Sequence, residues 1–365
     1  MEFTLFGALS GIALLAMLVG TYAAGYGRGV RYGSFIRFCI LCIPLVFLCS
    51  RVICGLASGS SMAQLLQPAA GGFSMAGAIL GVILAAIVTE KWQRLTPGSL
   101  LDAAALSMPV GIIIVRLAQP LCDFGWGYQY ESAHFAFLDE LDILLNEDVL
   151  GLHPVFIYEA LATLAVFGLL ALLRNLPRFR SGDLLLSFLL LYGCTQTVME
   201  SLLNSGHMKV IHFVKINQVA AMVMAVIPLI IWSVRLAKAR PGCALRIGSA
   251  WALTVVCILS GVVQEFSVEG QDNPYFSVVL VGAAMAALLA AATLLWCIAW
   301  RKEGLRRLLP VAVVSLIAIA AAIVDRTIDV GDSYRIVLWG IMACDMLLMC
   351  LTGFALRKAA EFNEQ

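Results

Sequence analysis

Runs of about twenty apolar residues, the length of helix that crosses a bilayer, recur along this chain with little sequence between them. Eleven such runs lie near 3–24, 38–57, 71–89, 100–119, 155–173, 184–203, 213–234, 249–264, 277–299, 309–324 and 336–355. Hydrocarbon offers the backbone no water to bond, so each run must satisfy its own N–H and C=O groups as a helix. The expected fold is therefore all-α, a polytopic transmembrane bundle. Composition agrees: 13% of residues are charged, against about 25% in a soluble globule. A formal net charge of +1 gives no case for a nucleic-acid partner. A basic segment with Pro241, Gly242 and Gly248, residues 238–248, divides seven spans (1–237) from four more (249–365).

Basic residues concentrate in cytoplasmic loops, which orients the spans. Alternate loops hold Arg28, Arg31 and Arg37; Lys91 and Arg94; Arg174, Arg178 and Arg180; Arg235, Lys238, Arg240 and Arg246; and Arg301, Lys302, Arg306 and Arg307. Arg357 and Lys358 follow in the tail. The opposite loops are acidic, with Asp139, Glu140, Asp142, Glu147 and Asp148 in one and Glu265, Glu269 and Asp272 in another. Every loop fits an N-terminus outside and a C-terminus in the cytoplasm. The first span follows Glu2 and lacks a basic leader, so it reads as a retained helix rather than a cleaved signal.

Cys39 and Cys42 have the spacing of a redox or zinc pair but lie in an unbroken apolar run, where packing is the simpler reading. Phe135–Leu145 has the periodicity of an amphipathic helix, either on the outer membrane face or capping the bundle. The last four spans are rich in Ala, Val and Leu, and Asp345 is the one acid placed inside them. A lone intramembrane acid pairs within the bundle or carries function.

Ionisable groups in the first seven spans gather at one depth. With the orientation above, Arg51, Arg116 and Glu200 lie toward the outer ends of the second, fourth and sixth spans. His153, Tyr158 and Glu159 lie at the outer mouth of the fifth, which begins at Pro154, a residue suited to a first helical turn. Tyr192, Gln196 and Glu200 are four apart and share a helix face. Guanidinium groups bind phosphate bidentately and keep their charge, so Arg51 and Arg116 suit a phospholipid headgroup. Glu159 and Glu200 suit either a structural ion-pair network or a general base.

At these residues the chain resembles the bacterial prolipoprotein diacylglyceryl transferase family, over about residues 3–235. Leu5-Phe6-Gly7 is similar to an early Trp-Tyr-Gly, and Cys49-Ser50-Arg51-Val52 to a Gly-Gly-Arg segment. Gly71 to Gly81, Gly-Gly-Phe-Ser-Met-Ala-Gly-Ala-Ile-Leu-Gly, resembles Gly-Gly-Met-Ser-Phe-His-Gly-Gly-Leu-Ile-Gly. Val115 to Gln119 resembles the signature Gly-Arg-x-Gly/Ala-Asn. His153-Pro154 with Tyr158-Glu159-Ala160 resembles His-Pro-x-Gln-Leu-Tyr-Glu-Ala. Tyr192-Gly193, Gln196 and Glu200 follow Tyr-Gly-x-x-Arg and a later Glu, and Asn217-Gln218 follows Gly-Gln.

The resemblance implies transfer of diacylglyceryl from phosphatidylglycerol to the lipobox cysteine of a prolipoprotein. The reaction releases glycerol 1-phosphate at the outer face of the bacterial cytoplasmic membrane, with no metal or other cofactor. It implies catalytic roles for Glu159, Glu200, His153, Tyr158 and Tyr192. Arg116, Arg51, Gln119, Gln196, Gly72 and Gly77 would hold the headgroup. Substrates and surrounding membrane lipids are the implied partners. The pattern departs at Phe6 (Tyr in the family), Ala76 (His), Gln196 (Arg), and through Gln119 to Phe124, where two Asn and a Glu are replaced. Asp123, Glu131, His134 and Lys209 are the candidates to replace the lost groups. The departures leave a second reading open, a relative that binds phospholipid or lipopeptide without transfer.

Overall fold

A computed structural model describes residues 2–26, 29–58, 72–122, 124–129, 151–176, 179–204, 209–211, 214–269, 278–328 and 333–361. It is a helical bundle, with α1 Glu2–Tyr26, α2 Tyr32–Ser58, α3 Met75–Gln93, α4 Ser99–Ala118, α5 Val155–Arg174 and α6 Asp183–Leu202. Then come α7 Ile216–Ala239, α8 Ala244–Glu269, α9 Val278–Ile328 and α10 Ser333–Glu361. A short antiparallel ribbon, β1 Lys209–Ile211 and β2 Val214–Lys215, leads into α7. Ten helices among the described residues are long and apolar enough to cross a membrane, and the chain is a multi-pass membrane protein.

Three boundaries differ from the sequence expectation. The runs near 277–299 and 309–324 fall in one helix, α9, of 51 residues. Arg301, Lys302, Glu303, Arg306 and Arg307 end an apolar run, but all are good helix formers, so the charge does not end the helix. The expected segment 238–248 shrinks, because α7 runs to Ala239 and α8 begins at Ala244. Glu265, expected in a loop, lies in α8 and is 1% exposed. The amphipathic stretch Phe135–Leu145 lies outside the described residues.

Helix α6 is the axis. It is apolar nearly all round and buried along most of its length, as a central helix must be. Around it, α1 packs on α4, α2 on α3, and α7 and α10 on α6. Close approach of α2 and α3 depends on glycine. A Cβ on Gly77 would sit 2.5 Å from the Cys49 carbonyl oxygen and the Ser50 Cα. One on Gly81 would sit 2.6 Å from the Leu45 oxygen and the Val46 Cα. Small residues four apart let two helix backbones touch in lipid.

At the end of the bundle opposite the site, buried carboxylates close helix starts. Glu90, at the end of α3, accepts from the backbone N–H groups of Gly98 (2.9 Å), Leu100 (2.8 Å) and Leu101 (3.1 Å) at the start of α4. Asp102 in α4 repeats the device for α6, accepting from Gly182 (2.9 Å), Leu184 (3.0 Å) and Leu185 (3.1 Å). First-turn N–H groups have no partner within their own helix, and a carboxylate also complements the helix dipole there.

The helices beyond α7 share this core. Asp183, the first residue of α6, accepts from Trp232 Nε1 (3.3 Å) and Arg235 Nη1 (2.5 Å) of α7 and from Arg357 Nε (3.3 Å) of α10. Arg357 also pairs with Glu361 and lies over the Phe179 ring. Glu265 of α8 accepts from Gln218 Nε2 of α7 at 3.0 Å. Asp345 is fully buried and accepts from Gln264 Nε2 (3.0 Å) and Ser315 Oγ (3.4 Å), so it is paired within the bundle.

Candidate functional site

Four of the singled-out polar side chains meet the Arg116 guanidinium or each other where α4 ends. Arg116 is in the last turn of α4 and is 4% exposed. Its Nη1 lies 3.1 Å from Glu159 Oε2, and its Nη2 donates to the Tyr192 hydroxyl at 3.5 Å. Gln196 Nε2 donates to Glu159 Oε1 at 2.7 Å and to Glu200 Oε1 at 3.0 Å. The amide thus links two carboxylates that would otherwise face each other. Tyr192, Gln196 and Glu200 come from one face of α6, as their spacing requires, and Tyr192 stacks on Phe188.

The site keeps unmet polarity. Arg116 Nε and Gln119 Oε1 are buried with no hydrogen-bond partner among the described residues, and Glu159 Oε2 has none beyond its ion pair with Arg116. Gln119 follows α4 in a short 3-10 turn, Gln119–Cys122. Buried polar atoms in native proteins are nearly always bonded, so these unmet atoms mark polarity that the described residues leave unanswered. Among the described residues, no three His, Cys, Asp or Glu side chains are grouped to hold a metal ion.

Residues 124–129 join the helix ends that carry these side chains. Phe124 N–H donates to Gln119 O (3.3 Å), Phe156 N–H to Gly125 O (3.0 Å), Gly127 N–H to His153 O (2.8 Å) and His153 N–H to Tyr128 O (3.1 Å). Gly127 also bridges Leu203, just past α6. A Cβ on Gly127 would lie 2.7 Å from Leu202 O and 3.0 Å from His153 Cβ, so only glycine fits. This segment fixes α5 and α6 against the end of α4, and hence Glu159 and Glu200 against Arg116.

His153 and Tyr158 form a second group at the start of α5, with Nδ1 and the hydroxyl 3.4 Å apart. Arg51 is buried in α2. It donates to the Gly72 carbonyl at 2.9 Å, and its guanidinium is 5.3 Å from the centre of the Phe73 ring. Gly72 holds the turn before α3 with φ +76°, while the space beside Gly77 is filled by the α2 backbone. Asp123, Glu131 and His134 lie outside the described residues, as does the side chain of Lys209.

Lys215, just before α7, is a site neighbour that the sequence did not single out. It is 1% exposed, and its ammonium donates to Glu200 O (2.7 Å) and Leu203 O (2.5 Å), closing the C-terminus of α6. A cation there complements the helix dipole. Its position just before an apolar run, across a short ribbon from α6, carried no such signal.

The prolipoprotein diacylglyceryl transferase family model matches residues 2–234, which include this whole cluster. The chain belongs to that family. Curated relatives named phosphatidylglycerol–prolipoprotein diacylglyceryl transferase agree. The Bacillus velezensis protein is 26% identical over 243 residues, 64% of this chain and 88% of the relative. That of Geobacillus kaustophilus is 26% identical over 249 residues, with the same coverage. That of Clostridioides difficile is 25% identical over 211 residues, 55% of this chain and 81% of its own. Helices α8, α9 and α10 follow the matched region.

Proposed function

We propose that this family member transfers diacylglyceryl from phosphatidylglycerol to the lipobox cysteine of a prolipoprotein. The observation that carries the reading is the buried Arg116–Glu159–Gln196–Glu200–Tyr192 cluster with its unmet polar atoms. Isolated charges in a membrane span are costly, and a ligand phosphate would give the guanidinium a second anion to hold. Lys and Arg distribution supports placing this end outward and the C-terminus in the cytoplasm.

In this reading Arg116 binds the headgroup phosphate with Gln119 beside it, Arg51 and Gly72 lie along the lipid's path, and Gln196 holds the two carboxylates in place. Glu159 is held by Arg116 and Gln196, so Glu200 is the proton acceptor for the cysteine thiol. The resulting thiolate attacks the glyceryl carbon that bears the phosphate oxygen. An S–C bond forms and the C–O bond breaks. The electron pair leaves on glycerol 1-phosphate, whose developing charge the Arg116 guanidinium stabilises. Tyr192 hydrogen-bonds Arg116 and keeps its fork directed, while His153 and Tyr158 order the mouth.

One observation favours a second reading, binding without transfer. The position matching a family Arg is Gln196, and its neutral amide lies between the two carboxylates. Loss of one preorganised charge costs roughly 10²–10³-fold in rate. Purified protein, radiolabelled phosphatidylglycerol and a lipobox peptide separate the readings. Label on the peptide thiol supports transfer. Bound lipid without label on the peptide supports the binding protein.

A further inference from the structure

Helices α3, α4, α5 and α7 close on the backbone N–H groups of their own cap residues, Arg94, Gln119, Asn175 and Arg240. Helix α6, which carries Glu200, ends differently. Its cap residue, Leu203, is extended, with φ −71° and ψ 130°. The carbonyls of Glu200 and Leu203 are bound instead by the Lys215 ammonium, at 2.7 and 2.5 Å. Lys215 is among the largest fully buried side chains of the bundle. One turn on, Gln218 Nε2 donates to Thr197 O at 3.4 Å. Carbonyls 197, 200 and 203 are three residues apart and lie along one side of α6. The start of α7 therefore holds the last turns of α6 at the level of Glu200.

A backbone cap closes a helix end without taking any charge out of water. A buried ammonium loses its hydration, and charged hydrogen bonds must offset that loss. What the ammonium adds is placement. It binds the main chain of Glu200 itself, whose carboxylate lies 3.0 Å from Gln196 Nε2 in the site. We propose that Lys215 is a positioning residue for the transfer, holding Glu200 where its carboxylate meets the incoming thiol. The proposal rests on the transfer reading above, in which Glu200 takes the thiol proton. Lys215 exchanges no proton in that step and acts through Glu200.

The action is local. Arg116 and Gln119 stand at the end of α4, apart from the Lys215 contacts with α6. Residues 124–129 keep their backbone bonds to His153 and Phe156. Trp339 of α10 stacks on Tyr128 and meets His153 edge to face at 5.8 Å, and the Arg335 guanidinium lies 4.8 Å from the centre of the Tyr128 ring. That segment therefore stays in place when the ammonium, 5.9 Å from the same ring, is removed.

The test uses the full-length protein in nanodiscs, with radiolabelled phosphatidylglycerol and a lipobox peptide. Lys215→Met keeps an unbranched stem and loses the ammonium. It is expected to lower kcat about 10²-fold, the effect of a displacement of about 1 Å, with KM for phosphatidylglycerol within about twofold. Lys215→Arg keeps a cation and its donors and is expected to recover part of the lost kcat. Asp102→Ala removes the cap at the other end of α6 and serves as the stability control, with a lower melting temperature and the kcat of the parent. Amide hydrogen exchange on the same samples is expected to quicken at residues 197–204 in Lys215→Met and at 182–185 in Asp102→Ala.

A Lys215→Met protein with the kcat of the parent overturns the proposal. Equal losses of kcat in Lys215→Met and Asp102→Ala make Lys215 a structural cap only and overturn it too. A raised KM at unchanged kcat assigns Lys215 to substrate binding, with the same consequence. Should Lys215→Met give no folded protein, Lys215→Gln, which keeps a neutral donor of shorter reach, carries the same expectation of lower kcat at unchanged KM. A parent that transfers no label removes the transfer reading and the positioning role with it. A parent that transfers beside an unaffected variant removes the positioning role alone.

Discussion

Arg116 Nη1 and Glu159 Oε2 are 3.1 Å apart, with their side chains only 5% and 1% exposed. Neither charge has bulk water to fall back on. Loss of one partner from a buried pair costs about 3–5 kcal/mol, because the other is left uncompensated. Arg116→Ala is therefore expected to lower the melting temperature in detergent and to abolish phosphatidylglycerol binding. Asp345→Ala, within the polar group of Gln264 and Ser315, is expected to destabilise while leaving that binding intact. Melting and lipid binding on the same preparations check both.

Gln196 keeps Glu159 and Glu200 in one network through a single Nε2. Gln196→Leu strips a donor from two buried carboxylates, each worth about 1–3 kcal/mol when left unsatisfied. The variant is expected to melt earlier than the parent and to lose affinity for phosphatidylglycerol. Gln196→Arg supplies the charge the family carries there and is expected to raise transfer of label to a lipobox peptide. Rates of transfer for the three proteins decide the matter.

Gly77 has no room for a methyl group against Cys49 and Ser50. Gly77→Ala is expected to separate α2 from α3 or strain both, at a cost of about 1–3 kcal/mol for overpacking. Gly33, whose added Cβ meets nothing, provides the comparison: Gly33→Ala is expected to leave folded yield unchanged. Size-exclusion profiles and melting curves report the difference.

Asp102 closes the first turn of α6 with three backbone hydrogen bonds. Asp102→Ala removes a cap, ordinarily about 0.5–2 kcal/mol, and exposes no lipid-facing charge. A lower melting temperature with unaltered KM for phosphatidylglycerol is the expected pattern. Loss of phosphatidylglycerol binding, as expected for Arg116→Ala, would instead mean that the two ends of α6 are energetically coupled.

The site was legible where periodicity and chemistry coincide. Tyr192, Gln196 and Glu200 lie on one face because a helix repeats about every 3.6 residues, and Arg116 and Glu159 stood out as charges in apolar runs. Glu90 and Asp102 were not legible as helix caps, nor Asp183 as the acceptor for α7 and α10, since hydropathy assigns an acid near the end of a span to water. Their partners are backbone N–H groups and side chains contributed by other helices. The same bias placed Glu265 in a loop and broke α9 at its Arg and Lys residues. Arg51 stood out as a charge in an apolar run, but nothing in the run announces its contacts with Gly72 and Phe73. The last helices looked poor in chemistry because Trp339 and Arg335 meet His153 and Tyr128 only once the chain is folded.

Trp339 and Arg357 are separated by about 27 Å of helix at the usual rise, close to the thickness of a bilayer's hydrocarbon. One touches His153 and the other Asp183, so α10 is fastened to the matched region at both of its ends. An accretion held this way is difficult to undo. Deleting it would strip Asp183 of one of its cations and uncover an apolar flank of α6 and α7, so the matched region of this chain is built to fold with α10 in place.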